Sequence, residues 1–404
     1  MTVATTSLRG LRIAHLIESD GPGGAERMVA GLASALQARG ADNVVIVPER
    51  GEGWVARQLE GTGVATLPAP LDLPFPAAIS QWLARALRTH RVTLAHSHEF
   101  TMALCGSWAA RRAGVPHLFT MHGSRYYADR WRRRIALRVA VELSGGAVAV
   151  SGSVARHLSR DLWLRPSRIV TIPNGASVAA VAHSSLRNEL GLHRGDQLAL
   201  AVGNLYPVKG HRYLVEALGL LTDQFPHLHV AIAGRGDLEA ALRTQAGALG
   251  LVGRVHLLGL RADIANLLAA ADIFVLPSLS EGLPLALVEA MLAARPIVAT
   301  AVGEIPVVLE NGRAGAVVPP ADAAALAHAL ALLLNDRTRA SEMAAAAARR
   351  GQAEYTAERM VERYVALYGK RLGWKPGLAP VGADPPLEAR QVAVVETAVG
   401  RERA

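Results

Sequence analysis

The sequence has one cysteine, few aromatic residues and no long uninterrupted apolar run. A single thiol, Cys105, cannot build an internal disulfide framework, and it fits a protein kept in a reducing cytoplasm. The most apolar stretches, 264–276 and 323–334, contain polar residues and fall short of the about 18 residues that cross a membrane. We therefore expect a cytoplasmic protein without a membrane-spanning helix, which meets a membrane at most from its inner face.

Aromatic residues make up only 4% of the chain, and paired cysteine and histidine zinc ligands are missing. Both absences argue against a nucleic-acid partner. The net charge of +9, with arginine far outnumbering lysine, instead favours an anionic membrane surface or a phosphorylated ligand. The length of 404 residues, with 51% hydrophobic and 19% charged residues, predicts a folded protein of two or three domains.

The most informative stretch is 272–299, DIFVLPSLSEGLPLALVEAMLAARPIVA, which predicts a strand, a loop, a helix and a second strand. Pro284 stands where the helix starts, since its missing N–H would be unpaired there. Glu281 precedes that helix N-terminus, whose N–H groups and dipole suit a phosphate. Glu289 lies among apolar neighbours and needs a hydrogen-bonding partner. Alternatively, Glu281 is a capping residue and Glu289 a buried ion-pair partner.

Glu281-Gly282-Leu283-Pro284, with Glu289 eight positions after the first glutamate, resembles the paired-glutamate motif of the family-4 retaining glycosyltransferases. That family has the α/β fold called GT-B, in which two Rossmann-like domains face each other across a cleft. The resemblance covers about residues 12 to 370. It implies an acceptor-side domain over 1–180, a nucleotide-sugar domain over 181–353 and a helix over 354–371 that crosses back to the first domain. We expect the Pro- and Gly-rich tail, 376–404, to be disordered.

A glycine-rich loop, ESDGPGGAER, follows the first predicted strand, 12–17, and leads into a helix. Its spacing is not the dinucleotide-binding fingerprint, so NAD binding is not supported. By the resemblance, Gly24 faces the donor phosphates and Gly23 the acceptor side. The alternative is an ordinary glycine turn.

Two predicted strands, 92–95 and 116–120, end in histidines, at His96-Ser97-His98 and at His122. Residues at the carboxyl ends of parallel strands point into the ligand crevice. The resemblance implies that His122 contacts the transferred sugar and that His98 lines the acceptor side. A metal site of His96, His98 and His122 is the weaker alternative, because further ligands are not visible.

The segment 125–138, RYYADRWRRRIALR, predicts a basic amphipathic surface helix. Such a helix suits an anionic lipid surface or a phosphorylated acceptor, whereas the alternative is a solvated charged face.

The second half opens with the loop 203–210, which contains Asn204 and Lys209. A lysine there can meet a diphosphate as a point charge. The family carries an arginine and a lysine in this loop; Lys209 matches the lysine, but Asn204 stands in the place of the arginine. A second glycine turn holds Gly234 and Arg235, and its backbone N–H groups can approach phosphate. We predict that Arg235 supplies the positive charge that is missing at Asn204.

We predict from the resemblance a retaining glycosyltransferase that needs no metal or cofactor beyond its UDP- or GDP-linked sugar donor. Glu281, Lys209 and His122 form its catalytic set. Its acceptor is a lipid-linked or polysaccharide glycan of the cell envelope or an exopolysaccharide. Two other functions stay open: a GT-B nucleotide-sugar epimerase, or a non-catalytic sugar- or lipid-binding relative. The donor side comprises Glu289, Gly282, Leu283, Asn204, Gly234, Arg235 and Gly24.

Overall fold

The computed structural model describes residues 8–71, 76–123 and 125–373, and it contains two parallel β-sheets. Long apolar runs form the strands because helices cover both faces of each sheet. The first sheet has the order β3-β2-β1-β4-β5-β6-β7. Its strands are β1 (Arg12–Leu16), β2 (Asp42–Pro48), β3 (Ala65–Ala69), β4 (Leu94–His98), β5 (His117–Met121), β6 (Ala147–Ala149) and β7 (Ile169–Thr171).

The second sheet has the order β10-β9-β8-β11-β12-β13, and all its described pairings are parallel. In both sheets the chain order reverses beside the first strand, between β1 and β4 and between β8 and β11. Such switch points open a crevice at the carboxyl ends of the strands. The strands are β8 (Gln197–Val202), β9 (Leu228–Ala233), β10 (Val255–Gly259), β11 (Ile273–Leu276), β12 (Ile297–Thr300) and β13 (Ala316–Val318).

Helices alternate with the strands, as right-handed parallel crossovers require. Those of the first half are α1 (Gly24–Ala38), α2 (Trp54–Leu59), α3 (Pro76–Thr89), α4 (Glu99–Ala113), α5 (Trp131–Ser144) and α6 (Gly152–Leu162). The others are α7 (Leu186–Glu189), α8 (His211–Leu220), α9 (Glu239–Ala248), α10 (Ile264–Ala270), α11 (Leu285–Leu292), α12 (Ile305–Val308), α13 (Ala323–Asn335), α14 (Arg337–Glu354) and α15 (Ala357–Leu372).

The last helix, α15, crosses back and packs into the core of the first sheet, which confirms the predicted crossing. Its apolar side carries two buried tyrosines whose hydroxyls find partners inside that core. Tyr368 bonds to Nδ1 of His96 at 2.8 Å, and Tyr364 bonds to Thr120 at 3.0 Å. Buried tyrosines need such partners, so the two bonds fix how the helix sits.

Two segments join the halves, and they run side by side. Ala176, on the outgoing segment, forms a parallel bridge with Thr356, on the returning one. The Ala176 N–H donates to Tyr355 at 3.0 Å, and the Ala357 N–H donates to Ala176 at 2.9 Å. The two connections therefore form one hydrogen-bonded ribbon.

Three sequence predictions are corrected by these bounds. His96 and His98 lie inside β4, not beyond its end, because their polar atoms are paired within the core. The basic helix begins at Trp131 and ends at Ser144, after a turn over 126–129. Pro284 caps α11 with an extended backbone, so the helix itself starts one residue later.

Among the described residues, no helix combines the length and the apolar character that crossing a bilayer requires. The tail 376–404, which we expected to be disordered, lies outside the described residues.

Candidate active site

The candidate site is a cleft of about 510 Å³ between the carboxyl ends of the two sheets. Both sheets contribute at their switch points, where a crevice is expected. Most of the residues predicted for the site line this cleft, and they come from loops of both halves. They are Gly23, Gly24, His122, Asn204, Lys209, Gly234, Glu281, Gly282 and Leu283.

The first-domain wall is the N-terminus of α1. Gly23 caps this helix with extended backbone and makes no side-chain cap hydrogen bond. The N–H groups of the first turn, from Gly24 onward, therefore lack helical partners. A 15-residue helix directs its positive dipole end at the cleft, which favours an anion there.

The second-domain wall holds a lysine and glutamate pair. Lys209 ends a short 3-10 turn, and its Nζ donates to Oε1 of Glu281 at 2.7 Å. The Ser278 hydroxyl donates to the same oxygen at 2.7 Å. Two donors on one carboxylate oxygen fix its position. The N-terminus of α11 follows directly, so cation, carboxylate and helix end share one corner of the cleft.

Glu289, the second glutamate of the motif, is buried in α11 and bonds to an arginine of the other domain. Arg27, in the first turn of α1, donates through Nη1 to Oε2 of Glu289 at 3.4 Å and through Nη2 to Oε1. Burial raises the pKa of Glu289, and the Arg27 guanidinium opposes that rise. The expected partner of Glu289 is therefore Arg27. Glu289 lines a neighbouring cavity of about 490 Å³ and not the main cleft.

The two domains touch beside Glu281, where two glycines meet. A Cβ on Gly282 would lie 2.7 Å from the carbonyl oxygen of His122. A Cβ on Gly123, whose φ is +119°, would lie 3.0 Å from the Cα of Gly282. Because real Cβ atoms do not come so close to backbone atoms, both positions require glycine for this approach.

His122 is held at the cleft by a half-buried glutamate that follows β4. The Glu99 carboxylate accepts the backbone N–H of His122 at 2.9 Å. Burial raises the pKa of Glu99 to about 8. Burial also lowers the pKa of His122 to about 3, so its ring is neutral at physiological pH. Its Nδ1 is buried without a hydrogen-bond partner among the described residues.

A row of histidines runs from His122 into the core of the first sheet. Nε2 of His122 lies 3.2 Å from Nδ1 of His98, and Nε2 of His98 lies 3.4 Å from Nδ1 of His15. His98 is fully buried and does not line the cleft, so it reaches the site only through His122. Burial lowers the pKa of His98 and of His15, the latter to about 4.

The metal alternative fits these histidines poorly. The described group with suitable spacing is His15, His96 and His98, not the predicted set with His122. Both ring nitrogens of His96 are already 2.8 Å from partners, the hydroxyls of Tyr368 and Thr120. A metal ligand needs one of them free. The prediction that no metal takes part stays a prediction.

The other predicted donor-side residues occupy different positions. Asn204 and Leu283 line the cleft, and so does Gly234, whose N–H donates to Gly259 at 2.8 Å and is therefore engaged. Arg235 is outside the cleft lining and pairs with Glu52 of the first domain. Its predicted role as the compensating cation is untested.

Sequence reasoning missed three residues that shape the site: Arg27, Glu99 and Asn174. The Asn174 side chain lines the cleft and donates to the Leu283 carbonyl at 3.0 Å. The sequence feature that could have pointed to Asn174 is the Pro-Asn-Gly turn before the linker. For Arg27 it is a charged residue next to the glycine loop. Glu99 gave no signal apart from its place beside the histidines.

Comparison with known proteins gives the family. The sequence model described as "Glycosyl transferases group 1" matches residues 183–350, and that described as "Glycosyltransferase Family 4" matches residues 22–179. The phosphatidyl-myo-inositol mannosyltransferase of Mycobacterium leprae is 34% identical over 81% of this chain and 88% of its own. A UDP-Gal:alpha-D-GlcNAc-diphosphoundecaprenol alpha-1,3-galactosyltransferase of Escherichia coli is 28% identical over 63% of this chain and 70% of its own.

Solved structures show the same fold. A glycosyltransferase from Rickettsia africae superposes with a TM-score of 0.79 at 20% identity, over 90% of this chain and 98% of its own. Anabaena HepE in complex with UDP-glucose gives 0.78 at 23% identity, over 89% of this chain and 100% of its own. The chain belongs to glycosyltransferase family 4, in the group 1 glycosyl transferases, with the GT-B fold. It is a glycosyltransferase, as its relatives are.

Proposed function

We propose that this glycosyltransferase moves a sugar from a nucleotide diphosphate sugar to a glycan or lipid-linked acceptor, with retention of the anomeric configuration. The observation that carries the proposal is the Lys209–Glu281 pair, which shares one cleft with the uncapped N-termini of α1 and α11. A cation, two helix ends and a fixed carboxylate suit a ligand that carries both phosphates and hydroxyl groups.

Lys209 and the N–H groups of α11 stabilise the leaving group. When the bond between the sugar C1 and the diphosphate breaks, negative charge grows on the departing phosphate oxygen. A preorganised cation and oriented N–H groups bind that charge more strongly in the transition state than in the ground state. Removing one comparable donor raises the activation barrier by about 3–4 kcal/mol.

Glu281 and His122 orient the transferred sugar from opposite walls. Both hydrogen bonds that the Glu281 side chain accepts from described residues use Oε1, which leaves Oε2 for a sugar hydroxyl. On the other wall, Nδ1 of the neutral His122 can pair with a second hydroxyl. Buried polar atoms are normally paired, so a substrate hydroxyl is the natural partner for that nitrogen.

Retention follows in this proposal from substitution on one face of the sugar. The acceptor oxygen bonds to C1 on the face from which the diphosphate leaves, and the acceptor proton passes to the leaving phosphate oxygen. Atoms and charge balance without a covalent enzyme intermediate, so no side-chain nucleophile is needed. Neutral His122 is assigned a hydrogen bond only.

The donor and acceptor classes are proposed from the relatives. They include a phosphatidyl-myo-inositol mannosyltransferase and a galactosyltransferase for a diphosphoundecaprenol-linked sugar, and HepE was solved with UDP-glucose. We take the donor to be a UDP- or GDP-linked hexose. The acceptor is then a lipid-linked glycan of the cell envelope or an exopolysaccharide.

Helix α5 is the proposed contact with an anionic membrane at its inner face. Trp131, Ile135 and Val139 recur every four residues and are 69%, 45% and 39% exposed, so they form an apolar stripe. Arg132 is exposed beside that stripe. The other arginines of 125–138 mainly hold the fold: Arg134 and Arg138 donate to backbone carbonyls, for example. An apolar stripe with flanking cations suits the headgroup region of an anionic bilayer.

The test is a thermal-shift panel of UDP, GDP, ADP and their hexose conjugates, followed by turnover with lipid-linked acceptors in EDTA. A ligand that binds the folded protein raises its melting temperature. We expect one nucleotide to raise the melting temperature more than the others do. We also expect an NMR coupling constant to show that the product keeps the anomeric configuration of the donor. An inverted product would refute retention. Conversion of the donor in the absence of an acceptor would favour the epimerase. Binding of a nucleotide sugar without any turnover would favour the non-catalytic relative.

A further inference from the structure

Arg27 stands at the boundary between the main cleft and the second cavity. It lines both, whereas its partner Glu289 lines only the second. The side chain is 36% exposed, compared with 5% for Glu289. By the family resemblance Glu289 receives the donor ribose, and Arg27 and Leu285 are the described residues that line both cavities.

The pairing offsets part of the cost of burying the Glu289 carboxylate. Burial alone favours the neutral form of Glu289, and a guanidinium with two bonds to the carboxylate counters it. The other charged residues that line the second cavity are Arg39 and Glu358. Neither contributes a described hydrogen bond to Glu289, so Arg27 is its charge partner among the described residues.

The cleft needs a second cation for a diphosphate, because Asn204 stands where the family has arginine. The cations that line it, among the described residues, are Arg27, Lys209 and Arg261. Arg261 is held by Asp263 at 2.6 Å and by Glu189 at 2.8 Å. Arg27 instead projects from the turn of α1 that begins at Gly24.

We propose that Arg27 is a donor-positioning residue that exchanges Glu289 for the donor diphosphate when the donor binds. This rests on the proposed function. The guanidinium turns from the carboxylate to the more highly charged diphosphate, where its planar donors match phosphate oxygens. The released carboxylate then accepts the ribose hydroxyls. Each group thus leaves one partner for another.

The exchange also links the two halves. Arg27 belongs to the first domain, while Glu289 and Lys209 belong to the second, so the diphosphate becomes the bridge between them. The diphosphate therefore replaces one contact between the domains, Arg27–Glu289, with another, and a nucleotide lacking the second phosphate replaces it less well.

The experiment compares the affinities of the nucleoside diphosphate and monophosphate by calorimetry, with the base that the wild type selects. In R27Q we expect the diphosphate to lose about 10- to 100-fold in affinity, the scale of a charge-assisted hydrogen bond. The monophosphate should change less than about threefold, so the ratio of the two affinities falls. R27K keeps the charge and should recover at least part of the ratio.

The matched control is R156Q. Arg156 also pairs with a carboxylate of the other domain, Glu304 at 3.6 Å, but it does not line the cleft. The R156Q variant should keep the wild-type ratio of diphosphate to monophosphate affinity. The melting temperature of each variant shows whether it is folded.

Three results would overturn the exchange. The first is an R27Q variant that keeps the wild-type diphosphate affinity, and the second is one that binds both nucleotides equally more weakly, since equal loss means a structural role. The third is an R156Q variant that shows the same effect as R27Q. A wild-type protein that binds no nucleotide diphosphate would refute the proposed function itself, which is a distinct outcome.

Discussion

Nζ of Lys209 lies 2.7 Å from Oε1 of Glu281, and this ion pair is positioned by a loop and a 3-10 turn that are 72 residues apart in the chain. The side chains are 26% and 9% exposed, so water screens the pair only in part. Removal of either partner leaves the other charge uncompensated in a cleft lined by two helix N-termini.

We predict that Glu281→Gln lowers kcat/KM by about 10²- to 10³-fold, as does Lys209→Ala, because each removes a charge fixed where the sugar and diphosphate separate. Initial rates of nucleoside diphosphate release measure the effect. Ser278→Ala is the graded control, since losing one hydroxyl donor to the Glu281 carboxylate costs about 1.5–3 kcal/mol. Near-normal turnover in Glu281→Gln would remove its assigned role.

Gly282→Ala should abolish activity while leaving each domain folded. The added Cβ would meet the His122 carbonyl at 2.7 Å and so prevent the close approach of the two domains. Turnover and the thermal unfolding profile measure the two effects separately. Gly247→Ala, in α9 with nothing within 4 Å of the added carbon, is the matched control and should raise stability by about 0.5–1 kcal/mol. An active Gly282→Ala would show that closure needs no such contact.

Buried histidines should make the protein lose stability in acid. Burial lowers the pKa of His117 to about 3, against about 6.5 in an unfolded chain. Below pH 6.5 the unfolded state therefore binds more protons, and the free energy of unfolding falls until the folded state is also protonated near pH 3. The loss for this one group is about 2 kcal/mol at pH 5.

His117→Gln isolates that contribution. Denaturant titrations at pH 7.5 and pH 5 should show the variant losing about 2 kcal/mol less than the wild type between the two values. Glu99, with its raised pKa of about 8, changes stability in the opposite direction, but it is common to both proteins and cancels. If the variant and the wild type lose the same free energy of unfolding between the two pH values, residues other than His117 cause the acid sensitivity.

Tyr368→Phe should lower the free energy of unfolding by about 1–3 kcal/mol, because it leaves Nδ1 of His96 buried without its partner at 2.8 Å. The ring and its packing stay, so the loss reports the hydrogen bond. Tyr206→Phe removes a hydroxyl from a side chain that is 44% exposed and should change stability by less than about 0.5 kcal/mol. Equal effects in the two variants would contradict the anchoring of α15.

Trp131→Ala and Ile135→Ala should weaken binding to vesicles containing anionic lipid, since both shorten the exposed stripe of α5. Vesicle sedimentation at low and high salt measures the binding, and salt should weaken what remains. Leu220→Ala, 60% exposed on α8 of the other domain, is the control. If the wild-type protein does not bind anionic vesicles, the proposed membrane contact is wrong.

The strands and most helices were predictable to within a few residues, because apolar β-branched runs and capping residues act locally. Ser151 caps α6 as its sequence suggests, accepting the Val154 N–H at 3.1 Å. The end of β4 was not predictable. His96 and His98 look like strand-end polar residues, yet they stay in the strand because Tyr368 and other distant groups satisfy them.

The site was predictable as a set of loops, not as a set of contacts. A buried Glu289 indicates that a partner is needed, but the chain has many arginines. Which of them pairs with Glu289 could not be predicted, because Arg27 lies 262 residues away in the sequence. Similarly, the helix after β4 starts at Glu99 with φ of 65°, a strained conformation that no local pattern demands. Tertiary packing decides both features.

The ribbon formed by Ala176 and Thr356 has a consequence for recombination between relatives. The first domain is not one contiguous piece of chain, because its core is completed by α15. A chimaera that exchanged only the first half would pair a foreign β-sheet with the resident final helix, and His96 would face a tyrosine selected for another core. The whole first domain can therefore be exchanged only by moving two separate gene segments together, the second as short as the helix Ala357–Leu372.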